Sequence, residues 1–381
     1  MDDKDRLKVL DGFRAVAILL VMCYHYFVRW APPLSTVSLY PYGDFAARLW
    51  LFRFGYLGVE LFFIISGFVI SMTIFRCRTI VHFAHKRFAR LFPTMLLCSA
   101  VTFGVMMLLP RQPFHPSWRD FFPSLTFTDP LIWSKLFHSK FEAIDGSYWS
   151  LFVEVKFYFW IAILYFWVGS LRFFDAVAWV FGILVAASAT MLTFQLPHRW
   201  LLDFIFALDY LPWFVAGIGF YALWRDRRST IGWLLLLESA VSLPILLLGQ
   251  SAASLIASLV AMALCYVMFL AMLLRPSWMA WIAYRPIASI GVASYSLYLL
   301  HQFVGVAILD SFTSTVAPGD ERLSALAVPA LMGALIATSL LIYRFWEAPA
   351  KALLLAPRGK GSIAHGAAAA LPSATDSPQA R

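Results

Sequence analysis

The sequence predicts an all-α membrane protein with about ten transmembrane helices and both termini in the cytoplasm. Hydrophobic residues make up 61% of the 381 residues and charged residues only 13%, and the mean hydropathy is +0.75. Soluble domains are roughly 45–50% apolar and about 25% charged, and polar surface could not cover so much apolar surface in water. Composition therefore excludes soluble, disordered, collagen-like and disulfide-scaffold proteins.

Ten apolar runs approach the length of about 20 residues that a transmembrane helix needs. The first run lacks a small-residue cleavage site and is not expected to be a signal peptide. Residues 1–350 form the predicted transmembrane domain, and residues 351–381, rich in Ala, Pro, Ser and Gly, form a predicted disordered cytoplasmic tail. The runs are approximately 13–28, 56–75, 91–109, 148–168, 177–196, 204–223, 231–248, 255–274, 287–309 and 326–346.

The distribution of positive charge sets the predicted orientation. With ten spans, 20 of the 30 Lys and Arg residues lie on the face that carries both termini, and 9 lie on the other face. Cytoplasmic loops of membrane proteins carry the excess of positive charge. We therefore expect both termini in the cytoplasm, and the longest connection, residues 110–147, outside it as a cap or a re-entrant segment.

The cysteines and the net charge of +9 bear on disulfides, metal sites and binding partners. No two cysteines form a CxxC pair, so we expect free thiols without a disulfide framework or a metal site. The net charge follows from the cytoplasmic excess of Lys and Arg. We therefore expect membrane lipids, and no nucleic acid, as partners.

The first span carries an arginine and a histidine on one face. Arg14 and His25 are 11 residues apart, which is roughly 16 Å along a helix and about 20° past three full turns. Asp11 lies one turn before Arg14. We expect Arg14 at the cytoplasmic interface and His25 near the middle of the bilayer. Taken singly, Arg14 could be an interfacial anchor and His25 a hydrogen-bonded interhelical histidine.

Three other spans carry Glu60, Glu154 and His301. Ionisable groups within a membrane are costly and indicate function, so we expect these three to converge with His25 on one cavity. Each also has a structural interpretation: an interfacial carboxylate, an ion pair that fixes packing, and a structural histidine. Polar residues at helical spacing share a face with Glu154 or with His301: Ser147, Ser150 and Tyr158, and Ser294 and Tyr298.

Residues 82–90 form a basic segment, HFAHKRFAR, on the predicted cytoplasmic side. Arg87 and Arg90 are three residues apart and are expected to start a helix. Arginine binds phosphate through paired N–H groups, and a helix N-terminus strengthens such binding. The alternative is an ordinary basic cluster that contacts lipid headgroups.

These residues together resemble the integral-membrane acyltransferase type 3 family. Arg14 and His25 are similar to its R/K-x10-H motif, and Arg87 to Arg90 are similar to its RxxR motif. The resemblance covers about residues 5–350 and is to the stand-alone form without a fused C-terminal hydrolase domain. Four further blocks follow in the family's order: GVELFFIISGFVIS (58–71), SYWSLFVEVKFY (147–158), ASYSLYLLH (293–301) and WEAPA (346–350).

The resemblance implies ten transmembrane helices and an acyl-CoA donor, usually acetyl-CoA. It also implies acyl transfer across the membrane to a hydroxyl group on the extracytoplasmic side. The family includes bacterial enzymes that O-acetylate lipopolysaccharide, exopolysaccharide and lipo-oligosaccharides. A saccharide or glycolipid acceptor and a location in the bacterial inner membrane are therefore expected.

The resemblance and the spacing together give a hypothesis for the site. Arg14, Arg87 and Arg90 would bind the phosphates of the donor. His25 would act as the general base on the acceptor hydroxyl or carry the acyl group transiently, and Glu154 would orient that base. The expected substrate-lining residues are Glu60, Ser150, Tyr298 and His301.

Two alternative functions would use the same charges. An exporter of a lipid-linked saccharide would use them as a transport pathway, but it would favour a repeated sequence, and the chain has no evident internal repeat. A catalytically inactive partner subunit would not need the full set of Arg14, His25, Arg87, Arg90 and Glu154. The sequence alone therefore favours an acyltransferase.

Overall fold

The computed structural model describes residues 3–30, 48–109, 115–316 and 321–356, and these ranges are helical without a β-strand. The predicted all-α class is confirmed for this part of the chain. The α-helices are α1 Asp3–Tyr24, α2 Trp50–Arg53, α3 Gly58–Ile74, α4 Ile80–Leu108, α5 Phe121–Thr126, α6 Pro130–Leu136, α7 Trp149–Val168, α8 Phe173–Thr193, α9 Arg199–Phe206, α10 Leu211–Arg225, α11 Thr230–Leu246, α12 Ala252–Leu274, α13 Arg285–Val292, α14 Ser294–Leu300, α15 Phe303–Ser311, α16 Glu321–Ile342 and α17 Ala348–Leu355.

Within the described ranges, six helices are long and apolar enough to cross a membrane, and two bent helix pairs raise the number to eight. The protein is therefore a multi-pass membrane protein. The first and seventh predicted runs correspond to α1 and α11, which are not among these eight; α11 has only 17 residues. The count of ten and the cytoplasmic termini stay predictions.

Two of the predicted spans are broken inside the apolar run. α9 and α10 are bent by 64° across Ala207, and α14 is bent by 53° from the segment that begins with α15, across His301 and Gln302. Ala207 has a φ of 52°, in the left-handed region. Hydropathy does not detect such breaks, because the flanking residues stay apolar on both sides.

The chain also differs from its predicted boundaries at two helix ends. α4 begins at Ile80, where the Thr79 hydroxyl accepts a hydrogen bond from the N–H of His82 at 3.1 Å, so Arg87 and Arg90 lie two turns inside the helix. The prediction that these arginines start a helix is wrong. α17 continues to Leu355, beyond the predicted domain end at residue 350, and residues 357–381 of the predicted disordered tail lie outside the described residues.

The core of the bundle is a close crossing of α3 and α10. Gly67 of α3 faces the carbonyl oxygen of Phe214, and Gly217 of α10 faces the carbonyl oxygen of Ile64. A Cβ atom at either glycine would overlap with that backbone oxygen. The two glycines therefore set the distance between the helices, and α3 in turn packs against α1.

We expect Gly217→Ala to destabilise the protein by about 1–3 kcal/mol, because the added methyl group meets backbone atoms that cannot rotate away. Thermal unfolding in detergent, followed by size-exclusion chromatography, measures this loss. Gly182→Ala in α8 is the matched control, since no atom lies within 4 Å of its new Cβ. Equal unfolding temperatures for the two variants would contradict a close crossing.

Candidate active site

Two cavities lie next to each other inside the bundle. The smaller, which we call the arginine cavity, has a volume of about 60 Å³ and is lined by Arg14, Arg87, Arg90 and Glu154. The larger, which we call the histidine cavity, has a volume of about 600 Å³ and contains the side chain of His25. Val59 and Tyr298 line both cavities. The predicted donor-binding and catalytic residues are thus brought to adjoining spaces.

Arg87 supplies unused hydrogen-bond donors at the arginine cavity. Its side chain is 9% exposed, and its Nη2 atom donates to the Thr73 hydroxyl at 2.8 Å. Among the described residues, its Nε and Nη1 atoms have no hydrogen-bond partner. Buried unpaired donors are costly, and an anion in the cavity would satisfy them.

Glu154 lies with the arginines rather than with His25. Its Oε1 atom accepts hydrogen bonds from the hydroxyls of Ser66 and Tyr158, and its negative charge attracts Arg14, Arg87 and Arg90. No hydrogen bond joins Glu154 to His25 among the described residues, so the structure does not bring the predicted orienting group next to the base. The sequence places Glu154 and His25 at a similar depth in the membrane. Depth alone does not define which cavity each face of a helix lines.

The contacts of Arg14 and Glu154 can be compared with the structural interpretations of these two charges. Asp11 forms an ion pair with Arg14 at 2.6 Å, as the one-turn spacing predicts, but Arg14 also lines the arginine cavity. The ammonium group of Lys156 lies over the ring of Phe204 at 4.8 Å and forms no ion pair with Glu154 in the described structure. The predicted alternative is a Glu–Lys or a Glu–Arg pair. Glu154 does not form the first, and its attraction to the three arginines is consistent with the second.

His25 is paired with His301, a contact between residues 276 positions apart. His25 Nδ1 lies 2.9 Å from the carbonyl oxygen of Val21, and His301 Nδ1 lies 2.7 Å from the carbonyl oxygen of Tyr298. Because a carbonyl oxygen only accepts, these partners assign a hydrogen to both Nδ1 atoms. The single hydrogen on His25 Nδ1 is then shared between the carbonyl oxygen of Val21 and, at the longer distance of 3.3 Å, His301 Nε2.

This tautomer leaves a lone pair on His25 Nε2, where a general base needs it. No hydrogen bond within the described ranges occupies that atom. His301 is fully buried, so it supports His25 from behind instead of lining the cavity. A second imidazole lies next to His25, where the sequence predicts a carboxylate, and His301 is not among the residues that line the histidine cavity.

Irregular helix geometry positions both histidines. His25 begins a π-helical turn, His25–Arg29, a feature that often marks functional sites. His301 is the C-cap residue that directly follows α14. The break after it leaves backbone carbonyl and N–H groups without helical hydrogen bonds, and these groups need other partners. The Tyr26 hydroxyl donates to the carbonyl oxygen of His301, and the carboxylate of Asp145 accepts from the N–H of Phe303 at 2.7 Å.

Asp145 is a residue that the motifs did not identify. It is fully buried and also accepts from the N–H and the hydroxyl of Ser147, both at 2.8 Å. Burial raises the pKa of Asp145 to about 6, and the hydrogen bonds from Ser147 and Phe303 limit that rise. One carboxylate thus joins the turn before α7 to the start of α15. An acidic residue just before a helix is an N-cap signal, but the bond to Phe303 has no local signal.

We expect Asp145→Asn to lower the stability by about 1–3 kcal/mol, because one amide cannot accept from all three donors and a buried N–H is left unpaired. Thermal unfolding in detergent measures the loss. Asp129→Asn is the matched control: Asp129 caps α6 through Leu131 at 2.9 Å in an exposed hydrogen bond. Equally small losses of stability in both variants would show that Asp145 does not join the turn before α7 to the start of α15.

The remaining predicted residues divide between the cavities. Glu60 lines the histidine cavity, is 9% exposed, and its Oε2 atom has no hydrogen-bond partner among the described residues. Ser150 lines the arginine cavity and donates to the Tyr298 hydroxyl at 2.8 Å. The predicted single cavity is therefore two: His25 and Glu60 share one of them, and Glu154 belongs to the other.

The arrangement can bind an anion on one side and accept a proton on the other. The described residues hold no cluster of three or more His, Cys, Asp or Glu side chains spaced to bind a metal ion. Of the four cysteines, three are buried and Cys23 is half-buried, and all are free thiols.

Comparison with known proteins identifies the family. A family model described as an acyltransferase domain (Acyl_transf_3) matches residues 7–344. One similar protein, from Bacillus subtilis (strain 168), bears the name "Putative peptidoglycan O-acetyltransferase YrhL"; it is 27% identical over 198 residues, which are 48% of this chain and 28% of the relative. Another, from Shigella phage Sf6, is named "O-acetyl transferase" and is 26% identical over 219 residues, which are 55% of this chain and 59% of the relative.

The matched regions span less than two thirds of either relative's length, and no solved structure matches the chain. The family match nevertheless covers nearly all of the helical domain, and its range, residues 7–344, contains Arg14, His25, Arg87 and Arg90. The resemblance stated from the motifs is confirmed, and the exporter interpretation loses its support. The chain belongs to the acyltransferase family that this domain defines.

Proposed function

We propose that this protein is an O-acetyltransferase of the bacterial inner membrane. It moves an acetyl group from cytoplasmic acetyl-CoA to a hydroxyl group of an extracytoplasmic saccharide or glycolipid. The observation that carries the proposal is the shared wall of the two cavities: three arginines lie on one side of it, and an imidazole with a free lone pair lies on the other. The names of the two relatives support an O-acetyl product, and the name of the Bacillus relative, a peptidoglycan O-acetyltransferase, supports a saccharide acceptor.

The arginine cavity is the proposed donor site. Coenzyme A carries several phosphate charges, and arginine donates paired, charge-assisted hydrogen bonds to such groups. Arg87 has two donors free for this purpose, and Arg14 and Arg90 line the same space. Glu154 acts in this proposal as a positioning residue, because its charge holds the three guanidinium groups together without reaching His25.

The histidine cavity is the proposed acceptor site. Its volume of about 600 Å³ is in the range of small-molecule sites. Aromatic rings can stack against the apolar faces of a sugar, and the free carboxylate oxygen of Glu60 can accept from a sugar hydroxyl. The aromatic and amide side chains that line it include Tyr56, Trp149, Tyr210, Trp213, Gln250 and Gln302.

In the proposed reaction, His25 Nε2 takes the proton from the acceptor hydroxyl as its oxygen attacks the thioester carbonyl carbon. The new C–O bond replaces the C–S bond, and the thiolate of coenzyme A leaves. The imidazolium then returns the proton to the thiolate, so the proton of the acceptor hydroxyl leaves with coenzyme A and His25 is neutral again. His301 accepts from His25 Nδ1 throughout and holds the reactive tautomer.

The proposal is tested with inside-out membrane vesicles from cells that lack or express the gene, supplied with isotopically labelled acetyl-CoA. We expect labelled acetyl esters on the glycan only in vesicles that contain the protein, detected by mass spectrometry. Right-side-out vesicles are the control, because their cytoplasmic face is closed to the added donor. Equal labelling with and without the protein would refute the proposal.

A further inference from the structure

The two cavities share two side chains, which form the wall between them. Val59 of α3 and Tyr298 of α14 line both the arginine cavity and the histidine cavity. Both are buried, with exposed fractions of 6%. If the donor lies in the first cavity and the acceptor in the second, the transferred group must meet the acceptor oxygen between these two side chains.

Tyr298 is fixed in this position. Its hydroxyl donates to the carbonyl oxygen of Ser147 at 3.0 Å and accepts from the hydroxyl of Ser150 at 2.8 Å. Its ring packs against Phe62, with ring centres 6.0 Å apart, and against His301, with ring centres 5.2 Å apart. A ring held by hydrogen bonds on one edge and by aromatic contacts on its faces cannot easily move away for a longer acyl chain.

The cavity on the donor side of this wall is narrow. The arginine cavity has about one tenth of the volume of the histidine cavity, about 60 Å³ against about 600 Å³. Interiors of proteins are close-packed, so a substrate atom without free space must displace side chains. An acetyl group needs room for one methyl group beyond the carbonyl, whereas a butyryl group needs room for two more methylene groups.

We propose that Val59 and Tyr298 form a partition that restricts the transferred acyl group to a short one. The inference rests on the proposed function and adds to it the donor specificity and the residues that set it. Val59 limits the space between the cavities by its branched side chain, and Tyr298 limits it by a ring that cannot move. Glu60, Arg87 and the other charged groups do not take part in this selection.

The experiment compares three thioesters in competition. Membranes from cells that express each variant, with the host's own glycan as acceptor, receive acetyl-CoA, propionyl-CoA and butyryl-CoA in equal amounts. Mass spectrometry of the glycan gives the ratio of butyryl to acetyl esters. We expect the wild type to transfer mainly acetyl groups, and Val59→Ala to raise the ratio about tenfold, since one methylene in a pocket changes discrimination by about 10- to 200-fold.

Two further variants keep the test decisive if Val59→Ala folds poorly. Val59→Ile narrows the space between the cavities, and we expect it to lower the ratio of propionyl to acetyl esters. Tyr298→Phe keeps the ring but removes both hydrogen bonds, and we expect a smaller increase in the butyryl ratio. The matched control is Ile74→Val, because Ile74 is buried on the same helix and lines neither cavity; its ratio should equal that of the wild type.

The possible failures are distinguishable. A wild type that transfers butyryl as readily as acetyl groups, or ratios that do not change at Val59 and Tyr298, would overturn the partition and leave the acyltransferase intact. A ratio that rises as much in Ile74→Val would also overturn it, because the effect would then come from general loosening of α3. A wild type that forms no ester from any of the three thioesters would overturn the proposed function itself.

Discussion

Replacing His25 by Gln is expected to lower the rate of acetyl transfer by about 10³-fold, because a positioned general base contributes about 10²- to 10⁴-fold. Glutamine can keep the hydrogen bond to the carbonyl oxygen of Val21, but it has no lone pair basic enough to take the acceptor proton. The initial rate of label transfer from acetyl-CoA to membrane glycan measures the loss. The unfolding temperature should stay close to that of the wild type, since His25 is only half-buried.

Two comparison variants separate catalysis from general damage. His115→Gln changes an exposed histidine outside the helices and should leave the rate within about twofold. His301→Gln replaces the imidazole that is the second acceptor for His25 Nδ1, while the carbonyl oxygen of Val21 remains, and should reduce the rate less, by about 10- to 100-fold, as is usual for a residue that orients a reactive group. A normal rate in His25→Gln would show that the base lies elsewhere and that the paired imidazoles are structural.

The sequence predicts helices well because hydrophobicity and helical spacing are local properties. The runs that contain α3, α7 and α12 match the observed helices within a few residues at either end. The breaks at Ala207 and after His301 are not local in this sense, since they are stabilised by partners from other helices. The carbonyl oxygen of His301 is satisfied by Tyr26, far away in the chain.

The site was only partly predictable for the same reason. Spacing on one helix correctly groups Asp11 with Arg14, and the motifs correctly select Arg87 and Arg90 for the same cavity as Arg14. Which groups meet across helices depends on helix rotation and bending. Depth alone therefore pairs Glu154 with His25, although the helix presents Glu154 to the arginines. The partner that His25 has, His301, is supplied by a helix that breaks at that residue.

The second large effect is expected at Arg87. Arg87→Met should raise the KM for acetyl-CoA by about 10- to 100-fold, because a hydrogen bond to a charged group contributes about 1.5–3 kcal/mol. Arg87→Lys should have an intermediate effect, since lysine keeps the charge but lacks the planar set of N–H donors. Initial rates over a range of acetyl-CoA concentrations give the KM, and kcat should change much less because Arg87 lines only the donor side.

The alternative is that the basic segment acts only as a topology signal or as a lipid-headgroup contact. Arg78→Met tests this directly, because Arg78 lies just before α4, is exposed and carries the same charge, so a topology signal should weaken equally in both variants. Donor docking predicts that only Arg87→Met raises the KM, because Arg87 alone of the two is buried with free donors at the cavity. Equal effects of the two substitutions on KM, or on the amount of inserted protein, would assign the segment to the membrane surface and leave the donor phosphates without a demonstrated site.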